Sequence, residues 1–272
     1  MRNVLTFLLT VLLYTGMSQN KNVELQLIHY WDNYSFQNPS IFVEGDVILS
    51  YFCLLNAASY EISNESIQTT LSKASNNEKI FSLFIDTYRI YLFNPESYFC
   101  DYERYLAVVD YVINDENINK YAKFDFILEK EIIEANRVGE LATNFLVYDK
   151  IGNIIELHEI KSDYTILFFN NPDCSICEKT KKKLAESEIV NNLIDTGRLK
   201  VISIYPGNDF ELWESATFPD KWLNGYDKDL TINTQKLYYL LESSTLYLLD
   251  KDKRIIKKDV RFDVLEEYLE HL

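Results

Sequence analysis

Two cysteines three residues apart, Cys174 and Cys177, have the type and spacing that best support chemistry in this sequence. The apolar, β-prone run 166–169 precedes them, residues 170–173 (Asn-Asn-Pro-Asp) have the composition of a turn, and the lysine-rich stretch 178–186 favours a helix. This order predicts a strand, a turn and a helix that begins at or near Cys174. There the unpaired backbone N–H groups and the helix dipole favour a thiolate over a thiol. The pattern therefore indicates a redox-active pair.

The spacing suits thiol–disulfide exchange, because two intervening residues on a helical turn let the sulfurs reach bonding distance with little backbone movement. Two other interpretations use the same cysteines. A zinc site would need a second pair of ligands, and the remaining cysteines, Cys53 and Cys100, are isolated in the sequence. A fixed structural disulfide would fit an exported protein. Exchange and a structural disulfide both remain open at this point.

The first residues have the composition of a secretory signal peptide. Arg2 precedes the apolar run 4–14, and the small residues Gly16 and Ser18 follow it. The run is shorter than the roughly 20 residues that span a bilayer, so the sequence predicts a signal peptide over 1–18 and no stable membrane insertion after cleavage. A buried N-terminal helix is the alternative. The predicted location is across the inner membrane, in the periplasm or associated with the cell envelope.

Composition limits the classes of partner and the architectures that are compatible with this chain. The 272 residues carry a formal net charge of −15, which argues against nucleic acid and anionic membrane surfaces as partners. An apolar content of 47% is ample for a core, and the length suits one large domain or two ordinary ones. Only seven Gly and five Pro, with 16 Phe and 20 Tyr, favour long helices packed through aromatic rings.

Residues 21–137 show apolar side chains at steps of three and four almost throughout, which predicts an all-α helical domain. Leu27, Tyr30, Trp31 and Tyr34 form one such stripe. It is interpreted as a core-facing stripe, with an aromatic binding surface as the alternative.

Helix start signals in this half occur at Asp46, at 75–77 and at 94–96, the last with proline at a first helical position. Cys53 and Cys100 fall in predicted helical regions, where we expect buried apolar side chains rather than catalysts. In an oxidising compartment the two could pair if their Cα atoms lie within about 7 Å.

The periodicity changes between residues 137 and 142, which predicts a second domain over 138–272. Its predicted elements are, in order, a hairpin turning at 150–153, the strand and cysteine-bearing helix, a strand at 199–205, a helical or irregular stretch, a hairpin of 245–250 with 254–258, and a helix over 262–272. A hairpin, a β-α-β crossover, a second hairpin and a terminal helix form an α/β arrangement.

Residues 138–272 resemble extracytoplasmic thioredoxin-fold proteins of the TlpA/ResA type. The segments that carry the resemblance are the strand before PDCSIC, that motif itself, KVISIY and TLYLLDKDKRI. HYWDNYSF and NRVGELATNF, at the two ends of the helical half, resemble a domain of uncharacterised function that precedes such domains in envelope proteins. The resemblance implies a thioredoxin-like α/β C-terminal domain after an all-α N-terminal domain.

The resemblance also implies thiol–disulfide exchange on exported proteins. Cys174 would attack a partner disulfide, and Cys177 would resolve the mixed disulfide. Reduction is implied more than oxidation, with a membrane electron donor as a candidate partner and with no metal or organic cofactor. The alternative is a non-catalytic binding or adaptor protein whose cysteines form a structural disulfide.

Two departures from the family pattern concern the expected substrate groove, to which we assign Pro172, Asp173, Ser244 and Thr245. Ser244 stands where the family has a cis-proline, and Pro172 and Asp173 replace a tryptophan. A cis bond before serine costs about 2.5–4 kcal/mol, so we predict a trans loop. The charge of Asp173 is expected to raise the pKa of the neighbouring Cys174 thiol.

Two further groups of side chains could contribute charge or metal ligands to a site. Lys179 and Lys181 to Lys183 are interpreted as a solvated helix face, with a guiding charge for the thiolate as the alternative. His29, His158 and His271 are scattered without ligand spacing, so the sequence predicts no metal site.

Overall fold

The computed structural model describes residues 21–37, 39, 45–240 and 244–272. The predicted signal peptide, 1–18, and Ser243 lie outside these described residues. The chain divides into two compact units between Lys130 and Glu131. Within the described ranges, no helix combines the length and apolarity that a bilayer crossing requires.

The described part of the first unit is helical, as the apolar periodicity predicts. Residues 21–28 are helical and are followed by turns. Helices α1 to α5 span Gly45–Ala57, Tyr60–Ala74, Glu78–Tyr88, Tyr102–Asn114 and Phe124–Glu134, with a π-helical turn at Arg89–Phe93 directly after α3. Helix α5 crosses the division between the units.

The aromatic stripe near residue 30 belongs to the core of this unit. Trp31 is 4% exposed, and its ring centroid lies 4.9 Å from that of Tyr51 and 5.3 Å from that of Phe84. The core interpretation is therefore confirmed for Trp31. These aromatic side chains do not lie on a helix, because Tyr30 to Tyr34 follow the last helical residue at 28.

Side-chain caps precede the starts of α3 and α4 in the first unit. Asn77 accepts hydrogen bonds from the backbone N–H groups of Lys79 and Ile80 at the start of α3, as predicted. The predicted start at 94–96 is wrong, because α4 begins only at Tyr102, where Asp101 is the cap. Cys53 was also expected to be buried, but its side chain is exposed on α1; Cys100 is half-buried.

The second unit is built on one sheet of seven strands in its described part. Strands β1 to β7 span Leu146–Tyr148, Ile154–Glu156, Tyr164–Phe169, Leu199–Tyr205, Leu223–Tyr226, Thr245–Leu249 and Ile255–Lys257, in the spatial order β2-β1-β5-β4-β3-β6-β7. Strands β3, β4 and β5 are parallel, and the outer pairs are antiparallel. Both predicted hairpins, β1–β2 and β6–β7, are confirmed. Strand β5 was missed, because the stretch containing it was predicted to be helical or irregular.

Strand β3 is central, and almost every side chain along it is buried, as its continuous apolar sequence requires. Its alternate residues face two cores. Ile166 and Phe168 pack in the core that includes side chains of α6 (Ser175–Glu186), α7 (Glu188–Asp195) and α10 (Phe262–Glu270). Leu167 and Phe169 pack in the core on the other face. Two short helices, α8 (Phe210–Ser215) and α9 (Thr231–Thr234), complete the unit.

Candidate functional site

The site lies where β3 ends and α6 begins. Asn170, the first residue after the strand, is 3% exposed, and its side-chain amide nitrogen lies within hydrogen-bond distance of Phe168 O, Ser203 Oγ and Ile204 O. Its backbone N–H also donates to Ile204 O. These bonds fasten the start of the loop to β3 and β4, so the loop leaves the sheet at a fixed point.

Cys174 is the N-cap residue of α6, as the sequence predicts. Its backbone is extended, and its sulfur accepts a hydrogen bond from the backbone N–H of Cys177 at 3.3 Å. The residue is half-buried. A sulfur in this position faces the N–H groups and the positive end of the helix dipole, which stabilise negative charge on it.

Cys177 lies one turn along the same helix in a different environment. It is 3% exposed and packs in the core with Phe168, Leu184 and Leu246. Burial, reinforced by the neighbouring Cys174 sulfur, raises the pKa of the Cys177 thiol to about 12, although the N–H of Asn171 donates to this sulfur at 3.4 Å and acts in the opposite direction. The two cysteines therefore differ in which charge state their surroundings favour.

The other four predicted site residues surround the motif in different ways. Ser244 is half-buried and its hydroxyl donates to Thr180 Oγ1 on α6 at 2.9 Å, while the bond joining Ser244 to Ser243 lies outside the described residues. Thr245 is buried and pairs in register with Phe169. Pro172 is half-buried and Asp173 is exposed.

A pocket of about 290 Å³ opens beside the motif. Its described lining comprises Asn170, Asn171, Pro172, Cys177, Glu178, Lys181, Leu212, Ser215, Ala216, Thr217 and Phe218. The structure thus brings Cys177 and Pro172 together in one cavity. Cys174, Asp173, Ser244 and Thr245 do not line it.

Lys181 corrects the prediction of a solvated lysine face. Its side chain is only 19% exposed, and its ammonium group bonds Thr217 O at 3.1 Å and the Glu178 carboxylate at 2.6 Å. It also lies 5.1 Å from the centre of the Phe218 ring. Lys181 therefore ties α6 to the far wall of the pocket, whereas Lys182 is 68% exposed, as expected.

Sequence reasoning missed the loop amides and the pocket wall at 212–218. Asn170 and Asn171 were interpreted only as turn residues, although the first anchors the loop and the second donates to Cys177. The wall carries no local signal, because it reaches the cysteines only through the tertiary fold.

Comparisons with known proteins cover both halves of the chain. The model of a domain of unknown function (DUF5106) matches residues 18–136. A crystal structure of a thioredoxin-like protein from Bacteroides caccae is 31% identical over 93% of both chains, with a TM-score of 0.84. No curated protein matches.

Two other solved structures match about half of the chain. The C-terminal domain of an uncharacterized protein from Bacteroides fragilis is 38% identical, covering 50% of this chain and 99% of its own, with a TM-score of 0.49. The thioredoxin domain of a thiol-disulfide oxidoreductase from Bacteroides vulgatus is 25% identical, covering 49% of this chain and 96% of its own, with a TM-score of 0.44.

Proposed function

The chain belongs to the thioredoxin-like proteins, and we propose that it is an extracytoplasmic thiol–disulfide oxidoreductase that acts on exported proteins through Cys174 and Cys177. The proposal rests on the site rather than on the fold, because one fold hosts many functions. The proposed extracytoplasmic location of the protein rests on the sequence of residues 1–18.

The observation that carries the proposal is the unequal placement of the two sulfurs. Cys174 caps α6 and accepts the N–H of Cys177, so its surroundings favour a thiolate. Cys177 is buried behind it, with a pKa raised to about 12. One sulfur is thus prepared to attack, and the other is kept protonated until the first has reacted.

The exchange then proceeds in two balanced steps. The Cys174 thiolate attacks one sulfur of a partner disulfide, forming a mixed disulfide and releasing the other partner sulfur as a thiolate. Cys177 gives its proton to water and attacks the Cys174 sulfur. The Cys174–Cys177 disulfide forms, the second partner sulfur leaves, and both released partner thiolates take up protons. Two electrons have passed from the chain to the partner.

Reduction of exported proteins is the direction we propose, with a membrane electron donor returning two electrons to the pair. The two sulfurs supply this chemistry themselves. Pro172, Asp173, Ser244 and Thr245 are proposed to contact the partner polypeptide around Cys174.

A second candidate is a binding or adaptor protein in which the cysteine pair is a structural disulfide. The observation that favours it is the hydrogen bond from Ser244 to Thr180. The bond engages the Ser244 hydroxyl, which stands at the position where the related enzymes present a proline to substrate. A loop tied back to α6 suits a fixed surface better than a groove that accepts a polypeptide.

Trapping separates the two candidates. The variant Cys177→Ser, expressed with its native export signal, should accumulate mixed disulfides between Cys174 and exported proteins, visible as complexes that dissociate on reduction. Cys174→Ser is the matched control and should trap none. Absence of complexes with Cys177→Ser, together with a reduction potential of the wild-type pair below that of any membrane donor, would establish the adaptor instead.

A further inference from the structure

The two edges of the sheet differ in whether the chain covers them. At β7 a preceding segment lies alongside the edge, since Gly139 N–H donates to Ile255 O and Ile255 N–H donates to Glu140 O. At the opposite edge, no strand of the described residues pairs with the outer side of β2. Folded proteins commonly protect such an edge, because its unpaired backbone groups can bind another strand.

The open edge of β2 presents backbone donors and acceptors. On the inner side of the strand, the N–H of Leu157 donates to Phe145 O. Because hydrogen bonding alternates along an antiparallel strand, Ile155 also bonds β1, whereas the N–H and C=O groups of Ile154 and Glu156 point outward. Within the described ranges these outward groups make no hydrogen bond. The edge therefore offers both donors and acceptors to an added strand.

The β1–β2 hairpin also exposes large apolar side chains. Ile154 is 61% exposed, Leu146 is 44% exposed, and Ile151, in the turn, is 85% exposed. Leu146 pairs with Glu156 and therefore shares a face of the hairpin with Ile154, whereas Ile155 packs against the core on the other face. An edge that combines exposed apolar side chains with outward backbone groups has the features of a strand-binding surface.

The open edge lies at the same end of the sheet as the cysteine motif. One row of paired residues crosses the sheet at this end: Ile154, Tyr148, Tyr226 and Tyr205. The row meets β3 at Asn170, the first residue of the loop that leads to the cysteines. Four strand spacings of about 4.8 Å place the edge about 19 Å from β3, and about six residues of extended polypeptide cover that distance. One partner polypeptide can therefore pair with β2 and present a disulfide to the cysteine pair.

Charge at the edge selects the kind of strand that it binds. The Glu156 carboxylate lies on the same face as Ile154 and accepts a hydrogen bond from Asn144 Nδ2 at 2.7 Å. Two copies of the chain paired edge to edge would place two Glu156 carboxylates on one short ladder, and each copy has a formal charge of −15. A cationic segment is complementary instead. Because Ile154 and Glu156 are two residues apart on one face, the matching segment has an apolar and a basic residue at alternate positions.

We propose that the outer edge of β2 binds an extended, cationic segment of the partner polypeptide as an added strand. The inference rests on the proposed function and gives it a docking site away from the cysteines. Hydrogen bonds to the backbone of Ile154 and Glu156 hold the segment, and its alternate side chains supply the preference. Docking raises the effective concentration of the partner disulfide at Cys174 without adding a contact there.

Amide hydrogen exchange tests the docking itself. The probe is an acetylated peptide in which lysine and valine alternate, separated by threonine, and exchange in the full chain is followed by NMR. Saturating peptide should slow exchange at Ile154 and Glu156 by about ten-fold or more and leave Ile155 unchanged, because the Ile155 N–H already bonds β1. The same peptide with an N-methylated backbone is the control and should protect neither residue.

Two results of this experiment would overturn the inference. One is the absence of protection at Ile154 and Glu156 with the unmethylated peptide. The other is protection that rises with the concentration of the chain alone, which would identify a second copy as the occupant of the edge.

A charge exchange tests the preference for a cationic segment. Glu156→Lys should weaken binding of the lysine peptide about three-fold and strengthen binding of a peptide with glutamate in place of lysine. Glu140→Lys, at an exposed position beside the covered edge, is the matched control and should change neither affinity. Equal effects of the two substitutions would reduce the preference to net charge and overturn the assignment of Glu156.

Spacer length tests the link between docking and exchange. The strand peptide is joined through three or twelve Gly/Ser residues to a cysteine that carries thionitrobenzoate as a mixed disulfide. Attack by the Cys174 thiolate on the peptide sulfur releases thionitrobenzoate. Twelve flexible residues span about 19 Å on average, whereas three cannot exceed about 11 Å. We expect release to be about ten-fold faster with the longer spacer.

Two variants make this comparison specific to the edge. Ile154→Pro removes an outward N–H but no bond to β1, so it should abolish the advantage of the longer spacer and leave the rate with the shorter one unchanged. Leu141→Ser, at a residue that is 53% exposed beside the covered edge, should retain the advantage. Release that does not depend on spacer length would overturn the inference and leave the proposed function intact. Release no faster than with Cys174→Ser, despite protection of Ile154, would overturn the proposed function alone.

Discussion

Tyr51 in the helical unit and Cys177 in the sheet unit are both buried side chains, and the surroundings of the two differ. In the helical unit the fully buried Tyr51 hydroxyl lies 2.9 to 3.2 Å from the hydroxyls of Ser66, Thr70 and Tyr88. Every member of this cluster has a partner inside the protein. Such closed networks fix one packing arrangement and leave nothing for a ligand to bind.

The sheet unit buries Cys177 with a long N–H contact from Asn171 and leaves it at the wall of a pocket. Burial raises the pKa of the Cys177 thiol, so this sulfur stays protonated until the Cys174 sulfur has reacted. The contrast teaches that burial alone does not mark a functional side chain. A buried group whose pKa is raised and which also lines a pocket is the better indicator.

The largest expected effect comes from the cysteine pair. Cys174→Ser and Cys177→Ser should each lower reduction of a model protein disulfide by about a thousand-fold, since each removes one of the two reacting sulfurs. Cys53→Ser is the matched control, because Cys53 is an exposed cysteine of the helical unit. Equal losses in all three variants would show that the placement of the sulfurs does not matter.

Removing the Glu129 carboxylate, which has two hydrogen-bond partners in the helical unit, should affect stability instead of exchange. The Glu129 carboxylate accepts from Arg89 Nε at 2.8 Å and from the Tyr105 hydroxyl at 2.9 Å. Glu129→Ala should lower the free energy of unfolding by about 3 kcal/mol in urea titrations, because it leaves a charge and a hydroxyl without their partner. Glu131→Ala, at an exposed position of the same helix, should change it by less than about 0.5 kcal/mol. Similar losses in both variants would contradict the idea of a closed network.

The raised pKa of Cys177 makes the reduced protein sensitive to alkali. In the unfolded chain this thiol ionises near pH 9, whereas in the folded chain it ionises only near pH 12. The folded state therefore holds the proton more tightly. Its contribution to stability is present below pH 9 and is lost as the pH rises towards 12, by at most about 1.4 kcal/mol per pH unit.

Urea titrations of the reduced protein between these pH values should show the free energy of unfolding falling with pH, through Cys177 and through the buried tyrosines together. Cys177→Ala retains the tyrosine contribution, so its free energy of unfolding should fall less steeply with pH. Identical slopes in the two proteins would mean that the Cys177 thiol is not held protonated by burial.

The smallest expected effect concerns Ser244, a partly buried group that is satisfied within the sheet unit. Ser244→Ala removes the hydrogen bond to Thr180 Oγ1 and should lower the free energy of unfolding by about 1 kcal/mol. Thr180→Ser retains a hydroxyl partner and should cost less. If Ser244→Ala instead leaves stability unchanged, the bond does not hold this loop against α6.

Local chemistry made much of the sheet unit predictable. The Asn-Asn-Pro-Asp turn after a continuous apolar strand placed Cys174 at a helix start, and the structure confirms it as the cap of α6. Both hairpins followed from β-prone segments on either side of a turn. The turn between β1 and β2 shows why, since Asp149 Oδ1 accepts from the N–H groups of Ile151 and Asn153 and Gly152 takes a positive φ.

Long-range pairing made the rest unpredictable. Strand β5 has the sequence LNGY, whose Asn-Gly pair is typical of a turn, and it is a strand because it pairs with β4. The false helix start at 94–96 has a local cause, because the Asn94 side chain accepts the Glu96 N–H in a turn, and α4 begins only at Tyr102. The pocket wall and the burial of Lys181 also depend on contacts between distant segments.

The most direct test of the account is the pH dependence of alkylation at each cysteine of the reduced protein, followed by peptide mass spectrometry. We predict that iodoacetamide modifies Cys174 near neutral pH and leaves Cys177 intact, and that Cys177 becomes reactive only as the pH approaches about 12. The urea-unfolded chain should show equal rates at both positions. Equal rates in the folded protein, or faster modification of Cys177, would contradict the unequal placement of the two sulfurs on which the proposed function rests.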